Sequence, residues 1–370
     1  MTASNSDSSL PQWQRFLLIS PVIILISLSL LAYAWSNDQG LSIDELGFLK
    51  RTPDDQLAIN FGQKILILDK SKENFELIDL EKHGYNMHGD FHFFGNGDVL
   101  IYHGAPELSL FEGLFRFMRF QQEAATPRSA EEGFYRCARN HFSCQRFAES
   151  MPALQTSFGL AMDWTRDITY VSNTPGFSLY AFDGNGEMIS MKTDELKFPN
   201  QMLFVNDGLW VADTNHHRII EMNLKEGAFV GVGQSILARF DHDYQWPTNM
   251  LELDEERWIM IANASMRDAR IKRLGKNFEA EVHLPSEADV LGMVLWNEQV
   301  WVSDLRHQAI YSIHPSGVGL EALDLAQLSE WVDHELSVRT YYERLSQFCL
   351  LLLGISILCG FVVAMKLESR

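Results

Sequence analysis

Residues 209–220 read LWVADTNHHRII, and the six residues before them, 203–208, read LFVNDG. A short apolar run therefore stands on each side of the turn NDG at 206–208. Apolar runs of this length around an Asn-Asp-Gly turn are typical of a β-hairpin. A third apolar run follows at 218–222 and a fourth at 229–232. This stretch therefore predicts four consecutive antiparallel strands.

The same pattern recurs along the middle of the chain. In four places a methionine precedes an aromatic residue by eight positions, namely Met162 and Tyr170, Met202 and Trp210, Met250 and Trp258, and Met293 and Trp301. These repeats lie roughly 40 to 48 residues apart, which is the length of one four-stranded blade of a β-propeller. Residues 57–80 and 91–102 have the strand and turn content of two more blades. We therefore predict an all-β propeller over residues 41–320 with six blades, five being the alternative.

A propeller must also close its ring, because closure removes the exposed strand edges at which chains aggregate. Residues 41–49 precede the first predicted blade and end in the apolar pair Phe48-Leu49. We expect residues 41–49 to supply an outer strand that pairs with the last blade.

The motif at 209–220 resembles the motif of the NHL family of propellers. Residues 301–310, WVSDLRHQAI, keep its aromatic residue, its aspartate and its closing isoleucine, whereas the blades nearer the N-terminus keep less of it. The resemblance implies that these positions tie the strands of one blade together and do not catalyse a reaction. In this sequence the blade-framework positions are Trp210, Asp213, His217, Arg218, Trp301 and Asp304.

The chain resembles more distantly the strictosidine synthase-like proteins and the calcium-dependent lactonases, which are also six-bladed propellers. That resemblance implies a metal in the central channel, held by oxygen ligands of the innermost strands. Among the positions just before the repeated methionines, only Asn200 and Asn249 offer good oxygen ligands. Calcium takes roughly 6 to 8 oxygens. We therefore expect no metal and no other cofactor, and keep a hydrolase that uses the channel as the alternative function.

Each end of the sequence carries an apolar stretch without charged side chains, at residues 16–35 and 346–365. About 20 such residues cross the hydrocarbon core of a bilayer. We therefore expect two transmembrane helices. The few basic residues beside them place residues 1–15 and 366–370 on the cytoplasmic side.

The first apolar stretch has an alternative interpretation as a cleaved signal peptide. Residues 32–34 read AYA, and small residues in an A-x-A pattern after an apolar run mark a cleavage site. The run is longer than the usual core of about 7 to 15 residues, and the bulky Trp35 would follow the cut. We favour an uncleaved anchor; in both cases the middle of the chain is exported.

The charge and the absent motifs exclude several classes of function. The sequence has 49 acidic against 30 basic residues and a formal net charge of -19, which repels nucleic acid. It contains no G-x-S-x-G, no P-loop and no C-x-x-C motif, so no motif indicates a serine hydrolase, a nucleotide-binding site or a thiol-based redox site. We therefore expect no nucleic-acid partner, and we expect that the protein is not an enzyme.

Cys137 and Cys144 lie outside the two apolar stretches. An isolated pair of cysteines in an exported domain predicts a disulfide more strongly than a metal site. A continuous helix would hold the two Cα atoms about 10 Å apart, which exceeds the bridging limit of ~7 Å. The disulfide therefore requires a turn between the two cysteines.

Two stretches do not follow the blade pattern. Residues 107–155 carry apolar residues at helical spacing, followed by arginines around the cysteine pair, so we expect a helical insertion there. Residues 321–345 have the pattern of an amphipathic helix that connects the propeller to the second span.

The insertion is the strongest candidate for a partner site. Between residues 113 and 146 six arginines stand against three acidic residues, in a chain that is otherwise acidic. Arginine together with exposed aromatic residues is typical of the centre of an interface. The candidate contacts are Phe111, Phe115, Arg116, Arg119, Arg136 and Arg139. The alternative is that this segment covers one face of the propeller.

These features together predict a recognition or assembly platform. We expect it to be anchored in the bacterial inner membrane by both ends, with most of the chain in the periplasm and another envelope protein as its partner.

Overall fold

A computed structural model describes residues 12–41, 44–104, 131–152, 154, 157–240, 243–263, 268–275 and 279–368. Within these ranges the chain forms six four-stranded sheets, one two-stranded sheet and two long helices. The strands are numbered β1 to β26 and the helices α1 and α2 in chain order.

Blades 1 to 3 come first. Blade 1 comprises β1 Leu46–Arg51, β2 Leu57–Phe61, β3 Lys64–Leu68 and β4 Phe75–Asp79. Blade 2 comprises β5 His92–Phe93, β6 Val99–His103, β7 Gly133–Ala138 and β8 Ser143–Phe147. Blade 3 comprises β9 Phe158–Asp163, β10 Ile168–Asn173, β11 Ser178–Phe182 and β12 Met188–Lys192.

Blades 4 to 6 follow. Blade 4 comprises β13 Pro199–Val205, β14 Gly208–Asp213, β15 Arg218–Lys225 and β16 Ala228–Leu237. A small hairpin of β17 Arg239–Phe240 and β18 Asp243–Tyr244 leads to the next blade. Blade 5 comprises β19 Trp246–Leu253, β20 Glu256–Ala262, β21 Arg270–Leu274 and β22 Glu279–Val282. Blade 6 comprises β23 Val290–Trp296, β24 Gln299–Asp304, β25 Ala309–Ile313 and β26 Leu320–Ala322.

The fold is a six-bladed β-propeller, so the predicted fold class is confirmed and the five-bladed alternative is wrong. In every blade the four strands pair in sequence order, and they are antiparallel. The turn predicted at 206–208 is a tight hairpin in which Asn206 and Asp207 have φ values of 51° and 61°. Positive φ at both central residues matches the right-handed twist of the flanking strands, which is why Asn and Asp occur there.

The ring closes differently from the prediction. Residues 46–51 do not form an outer strand of blade 6, because β1 is the innermost strand of blade 1. Side-chain and backbone contacts between blades 1 and 6 close the ring instead. A Cβ on Gly292 would lie 2.5 Å from the backbone N of Leu49, so the two innermost strands approach closely only because residue 292 is glycine. The indole Nε1 of Trp296 donates to the backbone O of Asp55 at 2.9 Å.

The expected insertion at 107–155 is wrong in its second half. Strands β7 and β8 are the third and fourth strands of blade 2, and β7 pairs with β6 so that Tyr102 faces Phe134. Phe134 and Cys137 are buried whereas Arg136 is half-buried. The arginines therefore occupy the less buried positions of a strand, and their charge concealed the strand pattern. Residues 107–130 of this stretch lie outside the described residues.

The predicted disulfide is confirmed. Cys137 on β7 and Cys144 on β8 face each other in the strand register, and their Sγ atoms lie 2.06 Å apart. Residues 139–142 make the turn that the sequence required between them. The disulfide therefore fixes the outer hairpin of blade 2.

The hydrophobic core consists of layers between neighbouring blades. The layer between blades 5 and 6, for example, combines Leu251 and Trp258 with Val290 and Val302. Tyr170, Trp210 and Trp258 of the Met-aromatic repeat lie in such layers. All four aromatic residues of the repeat are nearly inaccessible, with exposed fractions of 0% for Tyr170, 4% for Trp210, 0% for Trp258 and 1% for Trp301. Truncating a side chain of this kind to alanine typically costs about 3–5 kcal/mol.

Helices α1 Gln12–Leu41 and α2 Ala326–Glu368 are long and apolar enough to cross a membrane. The indole ring of Trp35 meets the ring of Tyr342 edge-on at 5.7 Å between centroids. A Cβ on Gly360 would lie 2.9 Å from Cγ1 of Val22. The two helices therefore pack side by side and antiparallel.

The expected connecting helix at 321–345 and the expected span at 346–365 form one continuous helix. That helix begins at Ala326, because residues 320–322 form the outer strand of blade 6. The predicted start of the connecting helix at residue 321 is therefore too early, because residues 321 and 322 still belong to blade 6.

Candidate functional site in the central channel

The framework residues of blade 4 form a compact hydrogen-bonded cluster around Asp213, which is fully buried. The Asp213 carboxylate accepts hydrogen bonds from the backbone N–H of Lys197 at 2.7 Å, from Nδ1 of His216 at 2.8 Å and from Nε of Arg218 at 2.7 Å. His217 bonds through Nδ1 to the backbone O of Gln245 at 3.0 Å. The carboxylate therefore links the start of blade 4 to the turn between its second and third strands.

Blade 6 repeats this arrangement. Asp304 is fully buried and accepts from the backbone N–H of Asp289 at 3.0 Å and from Nδ1 of His307 at 2.6 Å. The indole Nε1 of Trp301 donates to the backbone O of Trp296 at 3.0 Å. The guanidinium of Arg257 in blade 5 stacks on the ring of Trp210 in blade 4 at 3.8 Å. These contacts lie within the protein, and the structural role of the framework residues stays a prediction.

Two of the six candidate partner contacts lie between blades. Arg136 donates to Asp98 at 2.8 Å and to the backbone O of Gly184 at 2.8 Å, which joins blade 2 to blade 3. Arg139 donates to Glu76 at 2.9 Å, which joins blade 2 to blade 1. Both guanidinium groups are therefore engaged within the protein. The other four candidates, Phe111, Phe115, Arg116 and Arg119, lie outside the described residues.

A cavity of about 280 Å³ lies in the central channel, lined by residues of the innermost strands of all six blades. The lining reaches Arg51, Val205, Glu252 and Leu295, which stand at or next to the ends of β1, β13, β19 and β23. The cavity therefore lies toward the end of the channel at which the first turn of each blade is found. Such concave spaces are the usual ligand sites of proteins.

A buried ion pair lies in the channel wall. Lys50 on β1 donates through Nζ to Asp90 Oδ2 at 2.7 Å. The same oxygen accepts the backbone N–H of Leu160 at 2.9 Å, and Oδ1 accepts that of Phe91 at 2.9 Å. Burial raises the pKa of the Asp90 carboxyl, although the ammonium of Lys50 acts in the opposite direction. This carboxylate holds groups from blades 1, 2 and 3 together.

His92 on β5 also lines the cavity. Nδ1 of His92 lies 2.8 Å from the backbone N and 3.1 Å from the backbone O of Phe93, so Phe93 engages this nitrogen in either tautomer of the neutral ring. Burial, together with the charge of Lys50, lowers the pKa of the imidazole to about 3. The ring is therefore neutral at physiological pH.

The two asparagines predicted as calcium ligands do not form an oxygen cage. The backbone N–H of Met250 donates to Oδ1 of Asn249 at 2.7 Å, so this oxygen is already in use. Asn200 donates through Nδ2 to Oγ1 of Thr214 at 3.4 Å. The described residues contain no group of three or more His, Cys, Asp or Glu side chains that could hold a metal, and the ammonium of Lys50 lines the same cavity. The residues present do not fit a calcium site.

Sequence reasoning missed Lys50 and Asp90. Lys50 and Asp90 are 40 residues apart and belong to no motif. Gln201 stands next to Asn200 in the position before a repeated methionine, so its place in the channel could be inferred from the repeat, whereas its burial could not.

No protein-family model matches the sequence, and no curated protein matches it. Several solved structures are similar in fold. A chain of the nidogen/laminin complex is 9% identical, with 77% of this chain and 94% of that chain covered and a TM-score of 0.49. The extracellular domain of a proposed one-component system from B. thetaiotaomicron is 11% identical, with 76% and 36% covered and a TM-score of 0.45. Luciferin-regenerating enzyme is 12% identical, with 65% and 80% covered and a TM-score of 0.42. Membership of the NHL family stays a prediction from the motif.

Proposed function

We propose that this protein is a membrane-anchored propeller that serves as a recognition platform for another envelope protein on the outer face of the bacterial inner membrane. The observation that carries the proposal is the pair of apolar helices at the two ends of one propeller. Tethering a chain at both ends restricts its motion to the membrane surface, where a partner in the same membrane meets it at a high effective concentration.

The proposed topology is supported by the helix pair and by the disulfide. Two antiparallel helices that both cross a bilayer put the segment between them on the side opposite to the chain ends. The disulfide between Cys137 and Cys144 is of the kind that persists in oxidising compartments such as the periplasm.

An uncleaved first anchor is supported by the course of α1. The helix runs without interruption through the AYA sequence at 32–34, and Trp35 contacts Tyr342 of α2. Cleavage after residue 34 would separate Trp35 from the apolar residues before it, and the contact between Val22 and Gly360 would be lost.

The calcium-dependent hydrolase is the weaker candidate. Its chemistry needs several free oxygen ligands in the channel. The carboxylate of Asp90 and the amide oxygen of Asn249 both accept hydrogen bonds from the protein itself.

Reporter fusions test the topology. A cytoplasmic reporter fused after Arg370 should be active, and a reporter inserted at Gly275 should behave as exported. The opposite pair of results would refute the proposed orientation. The mass of the mature protein, measured on the purified chain, shows whether the residues before Trp35 are retained.

Charge-reversal variants test the partner site in a pull-down of the detergent-solubilised full chain. If these arginines form the partner site, Arg116→Glu with Arg119→Glu should remove the partner and leave the melting temperature nearly unchanged, since substitutions of surface charges usually change the stability by less than about 0.5 kcal/mol. The matched control reverses two acidic residues in the first turns of blades 5 and 6, Glu255→Lys with Glu298→Lys, and should retain the partner.

The reverse pattern, in which only the control loses the partner, would place recognition on the first turns of the blades. If Phe115→Ala lowers stability by several kcal/mol and the arginine variant keeps its partner, the segment covers the propeller and is not the recognition site.

A further inference from the structure

The cavity in the central channel is large enough for a small molecule. By volume, about 280 Å³ corresponds to about nine waters at ~30 Å³ each. Its walls are largely apolar and include Phe48, Trp164, Leu203 and Val294. A mostly apolar wall with a few convergent polar groups is the usual composition of a small-molecule site.

One polar side chain in this wall, Gln201 on β13, has a carboxamide without a partner among the described residues. Gln201 lines the cavity and is only 6% exposed, and its carboxamide makes no hydrogen bond to any residue that the structure describes. Its two N–H groups and its carbonyl oxygen are therefore available to whatever fills the cavity.

A second polar group with spare capacity is the imidazole of His92. Its Nδ1 is engaged by the backbone of Phe93, whereas Nε2 has no hydrogen-bond partner among the described residues. The ring lines the same cavity as Gln201. Together the two side chains offer donors and acceptors, since Nε2 donates or accepts according to the tautomer of the ring.

The charged groups of the cavity wall are already paired. Lys50 is bound to Asp90 at 2.7 Å, and Arg51 to Asp55 at 2.6 Å. Glu252 accepts a hydrogen bond from Nδ2 of Asn206 at 2.8 Å. A charged ligand would have to compete with these pairs while losing its own hydration, whereas a neutral ligand would not.

We propose that the central cavity binds a small uncharged molecule with an apolar body and one carbonyl or carboxamide group, which is recognised by Gln201 and His92. The carboxamide of Gln201 can donate to the ligand carbonyl and accept from its N–H, and Nε2 of His92 donates to the ligand or accepts from it according to the tautomer of the ring. This site goes beyond the recognition platform and does not depend on it.

Four probes of similar size test the chemistry of the cavity: benzamide, benzoate, benzylammonium and toluene. Binding to the detergent-solubilised full chain is measured by saturation-transfer NMR, with empty detergent micelles as the background. We expect benzamide to bind at least tenfold more tightly than the other three. Toluene binding equal to that of benzamide would refute recognition by polar groups, and tighter binding of either ion would refute the preference for a neutral ligand.

Two variants then locate the site. Gln201→Leu keeps the size of the side chain and should weaken benzamide binding at least tenfold, without a fall in the melting temperature of the free protein. Gln145→Leu, on the exposed strand β8, should leave binding unchanged. Absence of binding by all four probes at millimolar concentration, or equal binding by both variants, would overturn the proposal.

Discussion

Replacing Lys50 with methionine tests whether the buried ion pair holds three blades together. Methionine keeps the aliphatic length of lysine and removes the ammonium, so the Asp90 carboxylate loses its counter-charge. Asp90 is fully buried, and the Lys50 side chain is 13% exposed. Removing one partner of a buried pair costs about 3–5 kcal/mol, because the other charge stays buried. For a domain of this size we expect the melting temperature to fall by roughly 6–20 °C, at about 2–4 °C per kcal/mol.

A second substitution and the pH separate the charge effect from a packing effect. Asp90→Asn in the Lys50→Met background removes the unpaired charge and should recover at least half of the loss. Burial already raises the pKa of Asp90 in the folded protein. Without Lys50 this pKa rises further, because the ammonium that lowers it is gone. An acid whose pKa is higher in the folded than in the unfolded state adds stability as the pH falls. The difference between Lys50→Met and the parent protein should therefore shrink between pH 7.5 and pH 5.

Thermal melts of the detergent-solubilised protein, followed by near-UV circular dichroism, measure these effects. The matched control is Lys70→Met, because Lys70 pairs with Asp55 at the surface and is 58% exposed. Exposed pairs contribute about 0–1 kcal/mol, so this control should change little. A Lys50→Met variant within about 1 kcal/mol of the parent, or one that Asp90→Asn does not rescue, would refute the argument.

Three further predictions concern the hairpin, the channel and calcium. Peptide mapping after alkylation without reductant should find no modified thiol at Cys137 or Cys144, and removing the disulfide should cost about 2–3 kcal/mol; modification of both would contradict the disulfide. The pKa of His92 is lowered to about 3 in the folded protein, whereas it is ~6.5 in the unfolded chain. The contribution of His92 to the free energy of unfolding is therefore complete above pH ~6.5 and falls by up to about 1.4 kcal/mol per pH unit as the pH drops toward 3. His92→Phe should remove this part of the dependence of the melting temperature on pH, and an unchanged slope would argue against it. Calcium and EDTA should each leave the melting temperature nearly unchanged. A calcium site filled at a hundredfold excess over Kd would instead add about 2.7 kcal/mol to the free energy of unfolding. A shift of that size, or lactone hydrolysis abolished by Asn200→Ala, would favour the hydrolase.

Local patterns were sufficient for the blade architecture, because a hairpin is specified within a dozen residues. Two apolar runs around Asn206 and Asp207 require a tight turn, and the turn has the positive φ values that such a hairpin needs. The buried aromatic residues Tyr170, Trp210, Trp258 and Trp301 could be found from their spacing alone, since each occupies the same place in its blade. The disulfide and the two apolar helices were likewise readable from composition and spacing.

Local patterns failed where a strand carries charge. In β7 the buried residues Phe134 and Cys137 flank Arg136, whose guanidinium reaches Asp98 and blade 3. The sequence contains the arginine, but it does not indicate that the arginine pairs with Asp98, 38 positions away. A strand of this kind therefore has the composition of an exposed insertion until its neighbours are known.

The sequence by itself determined the blades apart from the outer half of blade 2, because each blade is built from contacts between adjacent strands. Only the tertiary structure decided how the six blades meet. The packing of neighbouring blades places Lys50 beside Asp90 and brings the backbone of Leu160, 70 residues from Asp90, to the same carboxylate. It also leaves Gln201 buried against a cavity with no protein partner among the described residues. These contacts depend on the number of blades and on the angle between them, and no short stretch of sequence contains either quantity.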